Sequence, residues 1–305
     1  MGNFIYKRSL QSLLSLALLI VLVFFLARLT GSPADLYLPL DATEEMRDQF
    51  NQRFGFDDPV YVQFFRFLGG LLQFDLGESI QYSKPAVEVV LQAFPTTLML
   101  AAITMPIVIV VAIVTGSLAA FRPGGLFDRI ASLISLIGAS TPNFWVAIVG
   151  VIVFAVWLRV LPTSGTGTPW HWVLPIAVLC LRPTGVLVQV VRSSMITALS
   201  SAYVKTARAK GVRARAIVFV HALRNALLPV ITVASDQAAG IVNGAVIVET
   251  VFGFPGIGKL MIDSVLLRDF AVIQAAVLVT ALAVFIINIV VDITYALVDP
   301  RIRHS

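Results

Sequence analysis

The sequence is poor in almost everything on which a soluble enzyme relies. Its single cysteine, Cys180, excludes an internal disulfide and a CxxC metal site. Its three histidines, His171, His221 and His304, are scattered and lack the spacing of metal ligands. Neither H-E-x-x-H nor G-x-S-x-G occurs, and no apolar segment carries an acidic pair at i, i+3 or i+4. No catalytic residue, cofactor site or metal site is therefore expected. Charge is scarce as well: Asp, Glu, Lys and Arg make up 13% of the chain, about half the share in soluble domains.

What fills the chain is apolar. Hydrophobic residues account for 58% and mean hydropathy is +0.91, which marks an integral membrane protein. The isoelectric point near 9.6 and net charge of +5 do not call for nucleic acid, because membrane proteins collect Lys and Arg on cytoplasmic loops. Six segments have the roughly 20 apolar residues needed to cross a bilayer: about 9–29, 96–120, 130–157, 172–191, 229–249 and 273–297. The expected fold is all-α with six transmembrane helices. The run Leu10–Leu26 exceeds the roughly 7–15 residues of a signal-peptide core and no A-x-A site follows, so it reads as a retained first span.

Basic residues fix the expected orientation. Lys7, Arg8, Arg122, Arg129, Arg301, Arg303 and those of the 192–228 loop fall on one side, with only Asp128 and Asp299 against them. The 30–95 segment reverses this, with ten acidic residues facing Arg47, Arg53, Arg66 and Lys84. Both termini are expected in the cytoplasm, with 30–95 a small helical extracytoplasmic cap. Within it, Thr43 followed by acids starts one helix and Pro59–Phe74 forms an amphipathic second. FDLGES at 74–79 is a turn, and Pro85–Ala93 leads into the second span. Pro106, Pro142, Pro175 and Pro183 fall inside spans, where neighbouring helices satisfy the freed carbonyls, and Gly240 and Gly244 permit close packing.

The stretch Tyr203–Pro229 carries Lys205, Arg208, Lys210, Arg213, Arg215 and Arg224 and no acid. Apolar residues (Ala207, Val212, Ala216, Ile217, Val220, Leu223) interleave at roughly helical spacing, and Gly211 stands between two halves. The expected structure is a helix–turn–helix on the cytoplasmic face, suited to a groove on a partner. Polar residues cluster in the fifth span (Thr232, Ser235, Asp236, Gln237, Asn243), with Asn288 and Asp292 in the sixth. A central charge costs about 2.5–3.5 kcal/mol, so these groups face protein or water. Lining of a polar path and hydrogen bonding across a helix interface both remain open for them. GFPGIGKL at 253–260 resembles a phosphate loop but has Leu260 where Ser or Thr would hold Mg²⁺, and it falls on the extracytoplasmic side.

KTARAKG…HALRNALLP (205–229) resembles the coupling loop of permease subunits in binding-protein-dependent ABC importers. FDLGES, PTTLMLA (95–101), STPNFW (140–145), ETVFGFPGIGKLM (249–261) and DPRIR (299–303) resemble its oligopeptide/dipeptide branch. The family's Glu-Ala-Ala run is here Lys205, Thr206 and Ala207. The resemblance implies the type I importer permease fold in a bacterial inner membrane, divided as 1–93 (first helix and cap), 94–298 (permease domain) and 299–305 (tail). It implies as partners a second homologous permease, two ATP-binding subunits that hold the ATP, an extracytoplasmic solute-binding protein and membrane lipid. ATPase coupling falls on Lys205, Thr206, Ala207, Arg208, Gly211, His221, Arg224, Asn225 and Pro229, and path lining on Ser235, Asp236, Gln237 and Asn243. The implied solute is a di- or oligopeptide; nickel, an opine or glutathione serves relatives of this type. A stand-alone secondary transporter using Asp236 is the competing class.

Overall fold

A backbone in lipid must satisfy its own hydrogen bonds, and apolar runs of this length do so as helices. The computed structural model describes residues 2–29, 31–213 and 216–298. The tail 299–305, with DPRIR, lies outside them, as do Arg215 and the side chains of Lys7, Arg8, His221, Asn243, Asn288 and Asp292. The helices are α1 (Gly2–Leu29), α2 (Ala34–Tyr37), α3 (Glu44–Phe54), α4 (Val60–Leu72), α5 (Ala86–Phe121), α6 (Leu126–Ser140), α7 (Asn143–Gly150), α8 (Trp170–Ser200), α9 (Ala202–Ala209), α10 (Leu223–Phe252), α11 (Ile257–Leu266) and α12 (Phe270–Val298). Single π-helical stretches, Val151–Trp157 and Ile217–Ala222, follow α7 and precede α10.

Among the described residues, α5, α8, α10 and Phe270–Ile287 of α12 are long and apolar enough to cross a membrane, and α1 contributes the apolar stretch Leu14–Leu29. The expected span 130–157 is instead two pieces, Leu126–Ser140 and Asn143–Trp157, bent by 101°. Thr141 is extended (φ −83°, ψ 129°) and Pro142 caps α7. Proline disfavours helical backbone in the residue before it and cannot donate to the preceding turn. Pro175, Pro183 and Pro229, in contrast, lie inside continuous helices.

The described residues form two compact units, one from within 1–96 and 255–283, the other from within 97–254 and 284–298. The first is held by aromatic packing: the fully buried Phe24 meets Phe64 and Phe67 at ring-centroid distances of 5.0 and 5.6 Å. Thr43 caps α3, its hydroxyl accepting from the Met46 N–H at 3.3 Å, and Gly55 ends that helix in the left-handed region. The FDLGES turn is pinned by Asp269, just ahead of α12. This buried carboxylate accepts from Ser79 Oγ at 2.6 Å, the Gln81 N–H at 3.2 Å and the Val272 N–H at 3.4 Å.

The second unit is built on α8, which packs against α6 and α10. One core joins Leu187, Val191 and Met195 of α8 to Val218, Ala222, Ala226 and Val230. Close to the other end, the fully buried Glu249 accepts from Thr97 Oγ1 at 2.6 Å, linking PTTLMLA to ETVFGF.

Candidate functional site

The basic connection is shorter than its charge pattern suggests. α8 runs on to Ser200 and α9 begins at Ala202, so only one extended residue, Ser201, separates them. The second half of the basic stretch is not a free surface helix: from Ile217 it continues as a π-helical turn directly into α10. What remains between the long helices is α9 and a turn at Gly211.

That turn is a Schellman motif. The Gly211 N–H donates to the Arg208 carbonyl at 3.0 Å and the Val212 N–H to the Ala207 carbonyl at 3.2 Å. Gly211 has φ +74°, which a residue with a Cβ adopts only under strain, and no atom of the described residues lies within 4 Å of where that Cβ would stand. The glycine is thus required by backbone conformation and not by crowding among the described residues. α9 buries Val204 completely and Ala207 in part, while Lys205, Thr206, Arg208 and Lys210 are exposed. A small cavity of about 190 Å³, lined by Phe121, Leu199, Arg208, Val212, Ile217 and Val218, lies beneath the turn. Among the described residues no ion pair engages Lys205, Arg208, Lys210, Arg213 or Arg224. The result is an outward cationic ridge on an apolar footing.

α10 carries the second feature. Asn225, Pro229, Thr232, Asp236 and Gly240 are all exposed, and they recur at intervals of three or four residues. Ala226, Val230, Ala234 and Ile241 on the opposite side are buried. Helical periodicity therefore joins Asn225 and Pro229, expected in coupling, and Asp236, expected in the path, into one polar stripe. Gln237, half-buried beside it, donates to Asp236 Oδ2 at 3.1 Å, and Ser235 donates to its own helix at the Ile231 carbonyl, 2.7 Å away. Asp236 is thus not buried in an interface within this chain. Arg224 is exposed next to the stripe.

The sequence reading missed a third feature, the seam of α6 against α8. Asp128, only 3% exposed, receives both Arg192 Nε and Arg192 Nη2, the latter at 2.8 Å, and the Gly124 N–H at 2.8 Å. Gln189 Nε2 donates to Ser135 Oγ at 2.6 Å and to the Ser132 carbonyl at 3.2 Å. Further along, a Cβ on Gly185 would meet the Ser135 carbonyl and the Ala139 nitrogen, and one on Gly138 would lie 3.2 Å from the Leu181 carbonyl. The two helices thus run antiparallel at backbone contact, with a bidentate ion pair at the end next to α9. Asp128, an acid in an otherwise basic loop, was the available signal. Its partner lies 64 residues away, beyond the reach of local pattern.

The phosphate-loop look-alike is a helix junction. Gly253 ends α10 with φ +66°, Gly256 precedes α11, and Lys259 pairs with Asp263 one turn on.

Comparison with known proteins places these features in a family context. Residues 112–304 match the family model described as binding-protein-dependent transport system inner membrane component, and residues 1–101 match the model of its N-terminal region. The oligopeptide transport system permease protein AppB of Bacillus subtilis is 35% identical over 316 aligned positions, covering all of both chains. The glutathione transport system permease protein GsiC of Pectobacterium atrosepticum is 37% identical over 306, again covering both chains fully. Among solved structures, the MetNI methionine ABC transporter in inward-facing conformations aligns with TM-score 0.60 at 17% identity, over 69% of this chain and 96% of the other. An amino acid ABC transporter aligns with TM-score 0.51 at 15% identity, over 70% and 94%. At these identities the structural likeness concerns the fold.

Proposed function

The chain belongs to the family of inner membrane components of binding-protein-dependent transport systems, and we propose that it is the permease subunit of an ATP-driven importer of short peptides. It is a multi-pass inner membrane protein of an ABC transporter, which implies ATPase and binding-protein partners. In our reading the working assembly is this chain, a second homologous permease, two ATPases and one solute-binding protein. Both termini and the α9 turn then lie in the cytoplasm, in line with the distribution of Lys and Arg. The chain binds no ATP and performs no chemistry of its own.

The exposed polar stripe of α10 carries this reading. A membrane-spanning helix does not turn Asn, Thr and Asp toward lipid, so the stripe faces a second subunit across water. The cationic ridge of α9 sits at one end of the same helix. Closure of the ATPases moves α9; its buried footing and the Schellman turn pass that movement into α10, whose stripe forms one wall of the solute path. Alternating access follows from one helix being both lever and wall. The peptide assignment draws on relatives named for oligopeptide and glutathione transport, and glutathione is itself a tripeptide.

Cysteine scanning tests the stripe. In a Cys180→Ser background, single cysteines at 225, 229, 232, 236 and 240 should react with a membrane-impermeant thiosulfonate in the assembled importer. Their rates should change when ATP is bound, while cysteines at 230 and 234 stay unreactive. Equal reactivity of the two sets would sink the proposal.

A further inference from the structure

The first unit contains a cavity of about 620 Å³, inside the roughly 300–1,000 Å³ range of small-ligand sites. Its wall is organised by hydrogen bonds. Gln63 of α4 donates to the Phe56 and Asp58 carbonyls at 3.1 and 2.8 Å, and its Oε1 accepts from Arg28 Nε at 3.0 Å. The Arg28 guanidinium also donates to the Phe24 carbonyl and lies 3.5 Å above the centre of the Phe24 ring. Neutral groups thus position this cation without cancelling its charge. Arg66 differs, since Asp58 neutralises it at 2.5 Å.

Four further groups on the wall share this lack of compensation. Arg53 meets the Phe54 ring but, among the described residues, no carboxylate. Asp75 accepts from the Gly77 N–H at 2.9 Å, yet neither it nor Glu78 has a cation partner among the described residues. Gln274, 4% exposed, lines the same space, and its Nε2 has no hydrogen-bond partner among the described residues. Buried amide donors are rarely left unpaired, because each costs free energy unless an acceptor is supplied.

Two uncompensated guanidinium groups, two uncompensated carboxylates and a buried donor suit a small zwitterion. We infer that this cavity binds a short peptide with free termini. Its carboxylate pairs with Arg28 and Arg53, its ammonium with Asp75 and Glu78, and a peptide carbonyl accepts from Gln274. Charge-assisted bonds supply the affinity, and the requirement for both termini supplies the selectivity. The inference rests on the peptide reading above and adds a solute site on the permease itself, separate from the stripe of α10.

The test uses the complete permease–ATPase complex in phosphatidylcholine nanodiscs, without binding protein, and measures equilibrium binding of radiolabelled trialanine. Saturable binding is expected, weakened about tenfold or more in Arg53→Gln and in Gln274→Leu, as loss of a charge-assisted or buried hydrogen bond implies. Blocking both termini of the peptide should abolish it. No saturable binding, or equal affinity in wild type and both variants, overturns the inference. So does retention of phosphatidylethanolamine by wild type but not by Arg53→Gln in the absence of peptide binding, since that headgroup also carries both charges. Uptake by the importer with its binding protein separates the two levels. Peptide uptake without cavity binding defeats this inference alone, whereas absence of peptide uptake defeats the substrate reading.

Discussion

Each unit contains a buried carboxylate that ties together distant parts of the sequence, and the two are satisfied in different ways. In the first unit Asp269 is held by a hydroxyl and backbone N–H groups, with Ser79 the tightest at 2.6 Å. In the second, Asp128 is held by a bidentate guanidinium, Arg192. Neutral donors fix a loop in place but leave the proton affinity of the acid open to its surroundings. An ion pair keeps its charge and joins two helices into one mechanical part. Phenylalanines pack α4 onto α1 at Phe24, whereas small residues bring α6 and α8 to backbone contact.

The largest expected effect comes from breaking the ion pair. Asp128→Ala leaves Arg192 without its partner in a largely buried setting, and loss of one member of such a pair costs about 3–5 kcal/mol. Because Arg192 keeps partial access to solvent (side chain 26% exposed), the lower end applies. Thermal scanning of the purified complex should show a clear drop in midpoint, with uptake lost. The double variant Asp128→Leu, Arg192→Leu should recover much of the stability, because it removes both charges together. If recovery of the midpoint brings normal coupling of ATP hydrolysis to uptake, the seam is packing alone and transmits nothing through its charges.

Much of this arrangement was legible in the sequence. Composition gave the helices and membrane class, Thr43 the start of α3, and Gly211 the turn after α9. The failures share a cause, namely that local pattern is blind to what packs on it. Pro142 breaks its span while Pro175, Pro183 and Pro229 do not, and nothing beside these prolines announces which case applies. The second basic half reads as a surface helix from its charge and apolar spacing; the helix in fact passes through Pro229 into the span. The stripe of α10 has visible periodicity, but Asn, Pro, Thr, Asp and Gly share no chemistry until burial separates them from the alanines and valines opposite. Asp128 with Arg192, and Ser79 with Asp269, are pairings of fold and not of sequence.

A smaller effect separates backbone from crowding at Gly211. Left-handed backbone costs a residue with a Cβ about 1–2 kcal/mol, less for asparagine. Since no atom of the described residues lies near the site of that Cβ, Gly211→Asn should retain most ATPase coupling and Gly211→Val should lose a large part of it. Gly211→Ala should fall between them. Should Asn be as damaging as Val, the space beside Gly211 is occupied by the partner ATPase, and contact would replace conformation as the reason for the glycine. Uptake and ATP hydrolysis measured together distinguish a failure of coupling from loss of the complex.

The smallest effect belongs to the neutral-donor clasp and is read by pH. Burial pushes the Asp269 carboxyl above the ordinary aspartate value of 3.8, with the hydrogen bond from Ser79 and those from the backbone partly offsetting it. The folded state therefore takes up this proton more readily than the unfolded state. The stabilisation linked to it is complete below 3.8 and is lost as pH rises through the raised value. On acidification from pH 7, this group alone should make the complex more resistant to heat, in the direction opposite to carboxylates held by cations. Asp269→Asn should flatten that part of the profile, and Ser79→Ala, which removes the largest opposing hydrogen bond, should shift it to higher pH. Midpoints that respond to pH identically in wild type and Asp269→Asn would mean that the clasp does not titrate over this range. The contrast between the two buried acids would then lie in geometry and not in proton affinity.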